Sequence, residues 1–132
     1  MNKMSVWFKK SLLLSALLPA ASAFANTGNY VFVNQDKKPI YASVSFVTNN
    51  GSPVASATVN GSQTVSGSIA IPDSATYTLD AVGGASVTNL TTNCSSSVVV
   101  PVTTSTATIT AVVTYSRAKG KLVCQVQGSV AQ

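Results

Sequence analysis

The sequence has no histidine and no glutamate, and its acidic side chains amount to three aspartates. Histidine and carboxylates are the groups that most enzymes use to transfer protons. The two methionines and the single tryptophan all fall within the segment 1–25. Copper sites favour histidine and methionine ligands, and the aspartates lack the repeated spacing of a calcium loop. The sequence therefore predicts a protein that is not an enzyme and has no cofactor or metal site.

The segment 1–25 has the pattern of a cleavable export signal. Residues 1–10 are basic, and residues 11–22 form an apolar run. That run is shorter than the roughly 20 residues needed to cross a bilayer. Ala23 and Ala25 supply the small residues that signal peptidase requires, so cleavage is predicted before Asn26. We expect the protein to be exported to the periplasm, cell surface or extracellular medium of a bacterium, with no transmembrane segment after cleavage.

Charge is sparse in the rest of the chain, 26–132, which is expected to form one domain. Loss of the three lysines of the signal reduces the net charge from +5 to +2. The five remaining cations stand in two separate groups, Lys37 with Lys38, and Arg117 with Lys119 and Lys121. A nucleic-acid interface needs a larger basic face with stacking aromatic side chains. No nucleic-acid partner is therefore expected.

Valine, threonine and isoleucine together supply more than a third of the domain 26–132. Such β-branched side chains favour strands over helices. Apolar and polar residues alternate along much of the chain, most clearly from Ala107 to Tyr115, and turn residues interrupt them every 6 to 12 positions. The pattern predicts an all-β fold, a small antiparallel β-sandwich (immunoglobulin-like or prealbumin-like) of eight or nine short strands. A stretch at residues 85–90 is one of the weaker strand candidates.

Two cysteines, Cys94 and Cys124, remain in the exported part. In an oxidising compartment they are expected to form one structural disulfide, and the enclosed loop would stabilise the fold by roughly 3–4 kcal/mol. Free redox-active thiols and pairing between chains are the alternatives. Their spacing alone is not a metal-binding motif.

Residues 36–84 resemble the transthyretin-like (prealbumin-like) modules of exported bacterial proteins. The similarity lies in a charged turn followed by Pro and an alternating strand (Asp36–Val44), a Gly-containing strand (Ser66–Pro72) and a Tyr-x-Leu strand (Tyr77–Leu79) that ends near Gly83 and Gly84. Lys37 and Lys38 stand where those modules have a glycine in the first turn, and the segment from Ala85 onward has no counterpart in them. The resemblance implies a scaffold or adhesion role without catalysis.

The sequence thus favours an exported, non-enzymatic module for binding, adhesion or surface structure. Exposed strand edges could add to a protein partner or to a second copy, and the apolar segments Val98–Val100 and Ile109–Val113 are the candidates for such edges.

A second hypothesis is a small periplasmic inhibitor or accessory protein that binds its partner through the basic 116–121 loop. Arg117, Lys119 and Lys121 would then make the partner contacts, because a hairpin tip exposes its side chains. Tyr41 is a candidate for a ligand surface, since it falls on an otherwise polar strand face.

Overall fold

Nine strands make up most of the chain that the structure describes. The structure is a computed structural model, and it describes residues 26–90, 92–94, 98–103 and 106–131. In chain order the strands are β1 (Asn26–Asn34), β2 (Ile40–Val47), β3 (Val54–Val59), β4 (Thr64–Ile71), β5 (Thr76–Gly84), β6 (Thr92–Asn93), β7 (Val98–Pro101), β8 (Thr108–Ala118) and β9 (Lys121–Ala131). The predicted signal, residues 1–25, lies outside the described residues.

The strands form two sheets that share one hydrophobic core. The first sheet has the order β4-β1-β8-β9, and the second has the order β3-β2-β5-β6, with β7 also paired to β5. This arrangement confirms the predicted β-sandwich. Among the described strands, every ladder is antiparallel except one. That ladder joins β1 to β8, which run parallel.

The β1–β8 ladder brings together segments that lie near opposite ends of the domain in sequence. It extends from Thr27 opposite Thr108 to Asn34 opposite Tyr115. Every second residue of β8 points into the core, as the alternation predicts, and four of these side chains are completely buried: Ile109, Ala111, Val113 and Tyr115. The central strand pair of the first sheet therefore forms much of the core.

The two segments predicted as association edges have different positions. Ile109–Val113 lies within β8, between β1 and β9, so its backbone groups already bond to both neighbours. The prediction of an available edge there is wrong, because alternation identifies a strand but not its neighbours. Val98–Val100 lies in β7, which pairs only with β5 among the described strands, and Pro101 suits that edge position.

One tyrosine from each sheet reaches across the core to the backbone of the other half of the sandwich. The Tyr77 hydroxyl donates to the carbonyl of Pro72 and accepts a hydrogen bond from the Asn26 side-chain amide. The Tyr115 hydroxyl donates to the carbonyl of Val82 at 2.6 Å and accepts from the Ser43 amide at 3.3 Å. Burial without water requires such partners, so these bonds fix how the sheets face each other.

A disulfide closes one side of the sandwich. Cys94 and Cys124 are bonded, and their Cα atoms lie 4.4 Å apart. Cys124 is buried on the inner face of β9, while Cys94 follows β6 of the opposite sheet. The predicted pairing is confirmed, and it joins the last strand of one sheet to the other sheet.

Candidate functional site

Asn34 organises the turn that carries the first two lysines. It is 1% exposed, and its side-chain amide donates to the carbonyls of Lys38, Val59 and Asn60 at 2.8–3.2 Å. Its side-chain oxygen accepts from the amide of Asp36 at 2.9 Å. One buried asparagine at the end of β1 therefore holds two turns together, and the position of Lys37 and Lys38 is fixed by the fold.

The same turn is attached to the end of β8. The Gln35 amide donates to the carbonyl of Tyr115 at 2.8 Å, and the Arg117 guanidinium bonds to the Asp36 carboxylate at 2.8 Å. This guanidinium lowers the pKa of Asp36 below its ordinary value, so the carboxylate stays ionised. Arg117 also donates to the carbonyl of Gly120 across the hairpin turn. Its position is therefore determined by contacts within the chain.

The fold brings both groups of cations to one end of the sandwich. Because β1 and β8 run parallel and Asn34 lies opposite Tyr115, the turn after β1 and the hairpin after β8 lie side by side. We call this region the cationic end; it consists of two turns carrying exposed side chains, Lys37, Lys38, Arg117, Lys119 and Lys121. Asp36 is the carboxylate beside them, and it is bonded to Arg117. Asp73 lies near Asn26 at the start of β1, and Asp80 lies midway along β5.

A cleft of about 640 Å³ opens at the cationic end. Three of the five cations line it, together with neighbouring turns: Lys38, Pro39, Ile40, Gly84, Ala85, Asn89, Arg117, Gly120, Lys121, Leu122 and Val123. The loop of residues 85–90 borders this cleft and is closed by a bridge between Ser86 and Asn89. It is not the strand that its sequence suggested. Val87 and Leu90 in this loop are 62% and 43% exposed.

The hairpin tip holds a lysine in an unusual conformation. Lys119 has a φ of 53° and Gly120 a φ of 77°, so both central residues are left-handed. A two-residue hairpin of this kind favours asparagine or glycine at the first position. The lysine therefore occupies a position that local preference disfavours, which makes its charge a candidate for a functional role.

Tyr41 lies outside the cationic cleft. It is half-buried in β2, between Thr58 of β3 and Gly84 of β5. Its predicted polar surroundings are present on the outer side of the second sheet, but it does not line the cleft beside the basic loop. Tyr41 therefore lies beside the cleft without lining it, since its neighbours Ile40 and Gly84 are part of the lining.

The outer face of the first sheet carries no charge over four rows of described residues. Four outward-facing positions in each of its four strands are serine, threonine, asparagine, glutamine, valine or alanine: Thr64, Ser66, Ser68 and Ala70; Thr27, Asn29, Val31 and Val33; Thr108, Thr110, Val112 and Thr114; and Gln125, Gln127, Ser129 and Ala131. A shallow concavity of about 580 Å³ lies on this face, around Thr114 and Gln125.

β9 forms one edge of the first sheet, and β4 forms the other. The carbonyls of the odd-numbered residues Ala107 and Tyr115 accept hydrogen bonds from backbone amides of β1 and of the residue that follows it. Odd-numbered residues of β8 therefore direct their backbone groups towards β1. Even-numbered residues of β8 therefore bond to odd-numbered residues of β9, since backbone groups alternate in direction. The amides and carbonyls of Val126, Gly128 and Val130 point away from the sheet and have no strand ladder among the described residues. Cys124 points the same way but forms a parallel bridge with Cys94, so this unpaired stretch begins after Cys124.

Comparison of the chain with protein-family models, with curated proteins and with solved structures gives no match. The resemblance of residues 36–84 to transthyretin-like modules stays a prediction. Within the described ranges, no group of three or more His, Cys, Asp or Glu side chains could hold a metal ion. No helix in that part of the chain is long and apolar enough to span a membrane.

Proposed function

We propose that the protein is an exported, non-enzymatic structural module whose copies associate through the edge of β9. The observation that carries this proposal is the outward direction of the backbone groups at Val126, Gly128 and Val130. An edge of this kind is a template for an additional strand. Adhesion or surface structure is the role that such assembly would serve.

The composition of β9 supports association at this edge. Between Leu122 and Ala131 the strand has no charged residue and no proline, and its ladder with β8 runs through eleven consecutive pairs without a bulge. Charges, prolines and bulges are the devices that protect other edges. β7 at the edge of the second sheet carries Pro101. The edge strands β3 and β4 have no charge or proline either, but they are shorter than β9, with six and eight residues against eleven.

A second copy is the partner that fits this edge best. Antiparallel pairing of two β9 strands about Gly128 would place Val126 of each copy opposite Val130 of the other and create one continuous sheet of eight strands. Over the four rows named above, the outer face of that sheet would be uncharged on both copies, so no like-charged side chains would oppose each other there. The only charged residue of β9, Lys121, lies at the far end of the strand.

The edge is tested by replacing Val130 with proline or with alanine. Val130→Pro removes the outward amide hydrogen, whereas Val130→Ala removes the same side-chain packing but keeps that hydrogen. We expect the natural protein and Val130→Ala to form dimers or larger species in sedimentation velocity runs, and Val130→Pro to remain monomeric. A natural protein that stays monomeric over the whole concentration range contradicts the proposal.

Export is tested independently of assembly. Mass spectrometry of the protein isolated from its natural host should give a chain that begins at Asn26 and contains one disulfide. Asn26 is 2% exposed, and its side chain bonds to Tyr77 and to the amide of Ala107. A chain that retains residues 1–25 would contradict the export part of the proposal and leave the β9 experiment unaffected.

A further inference from the structure

The cationic end and the neighbouring loop of residues 85–90 together combine positive charge with exposed apolar side chains. Lys38, Arg117 and Lys121 line its cleft, and Arg117 is the one paired with Asp36. Val87 and Leu90 project from the loop that borders the same cleft. A ligand that fits this end must therefore present negative charge beside apolar material.

We propose that the cationic end docks on an anionic phospholipid surface. Each lysine near such a surface is attracted by its negative potential within about one Debye length, roughly 8–10 Å. Exposed apolar side chains beside the charges can enter the boundary between headgroups and acyl chains. A dissolved anion would use the lysines but would leave Val87 and Leu90 in water, so these two residues favour a lipid surface.

The distribution of charge orients the molecule for this contact. The five cations occupy one end, while Asp73 lies near the start of β1 and Asp80 lies on β5. An anionic surface attracts the cationic end and repels the carboxylates elsewhere. The molecule would therefore contact the lipid with the cationic end and hold the start of β1 away from it. The outward-facing part of β9, from Val126 to Val130, begins beyond the hairpin that carries Lys121 and would remain accessible. The proposal is therefore independent of assembly at that edge.

The experiment measures co-sedimentation of the full chain, with its disulfide intact, on vesicles of phosphatidylglycerol and phosphatidylcholine. We expect binding to the phosphatidylglycerol vesicles, little binding to pure phosphatidylcholine, and weakening as salt increases. Lys38→Ser with Lys121→Ser should reduce the partition coefficient roughly 30-fold. Val87→Ser with Leu90→Ser should reduce it about tenfold, because less apolar surface enters the lipid.

Two matched controls separate a docking surface from general properties of the molecule. Ser66→Asp with Ala70→Asp lowers the net charge by the same amount on the exposed face of β4. Val54→Ser with Val99→Ser removes valines that are 54% and 61% exposed on other parts of the surface. Both controls should bind vesicles within about threefold of the natural protein.

Several results would overturn the proposal. Absence of binding to phosphatidylglycerol vesicles at low salt would do so directly. In a second such result, the Val87→Ser, Leu90→Ser variant would keep the partition coefficient of the natural protein while the lysine variant loses binding. That result would instead indicate a site for soluble anions or for an acidic protein partner of the basic loop. Equal losses in the charge-matched control would show that net charge alone drives the binding.

Discussion

The buried hydroxyl of Tyr115 should make the stability of the fold sensitive to alkaline pH. Burial raises the pKa of Tyr115 from 10.0 to about 12, because the ionised phenolate would lose its hydration. The folded state therefore favours the neutral phenol more strongly than the unfolded state does. This contribution to stability is complete well below the unfolded pKa of 10.0 and is lost as the pH rises towards 12.

The magnitude follows from the size of the pKa difference. Each unit corresponds to about 1.4 kcal/mol, so two units amount to roughly 2.5–3 kcal/mol, about half of it lost between pH 9 and 11. Tyr115→Phe removes the titrating group and also the bonds to the Val82 carbonyl and the Ser43 amide. Those bonds are worth about 1–2 kcal/mol at neutral pH.

Denaturant titrations of both proteins at pH 7, 9, 10 and 11 provide the measurement. We expect the natural protein to be more stable than Tyr115→Phe by about 1–2 kcal/mol at pH 7, and the difference to fall close to zero at pH 11. Tyr77 also has a raised pKa caused by burial, but it is present in both proteins, so its effect cancels. A difference that stays constant from pH 7 to pH 11 would refute the reasoning.

Three further predictions concern the turns and the disulfide. Lys119→Asn should raise the free energy of unfolding by about 0.5–1 kcal/mol, since asparagine tolerates the left-handed conformation better; a lower denaturation midpoint would contradict this. Gly61→Ala should lower it by about 2 kcal/mol or more, because the new Cβ would overlap the Lys37 carbonyl oxygen; an unchanged melting temperature would contradict that contact. Reduction of Cys94–Cys124 should cost roughly 3–4 kcal/mol, measured by denaturation with and without reductant; equal midpoints would show that the bridge does not constrain the unfolded chain.

Local patterns in the sequence identify the strands but not their partners. The alternation around Ile109 predicts which residues are buried, and Pro101 predicts an edge, because both depend only on nearby residues. The pairing of β1 with β8 depends on contacts between distant parts of the chain, which periodicity does not encode. For the same reason the two groups of cations were predicted as separate, although the parallel pairing places them together.

The sequence also gives little indication of which single polar residues are buried and have structural roles. Asn34 and Asn26 resemble ordinary turn or surface residues, yet both are buried and bond to backbone or side-chain groups far along the chain. Their importance comes from the bonding requirements of neighbouring turns and strand ends. Val87 and Leu90 likewise became a candidate surface only when the loop was placed beside the cleft.

The position of β1 in the first sheet has a consequence for the order in which the chain can fold. β1 is the first of the described strands to leave the ribosome or a translocation channel, but it lies between β4 and β8, and β8 ends at Ala118. The sheet cannot be completed until almost the whole chain has emerged. Such pairing between distant segments closes a long loop and slows folding. We expect the nascent chain to remain extended and protease-sensitive until its last strands are available, a state compatible with passage through a narrow channel.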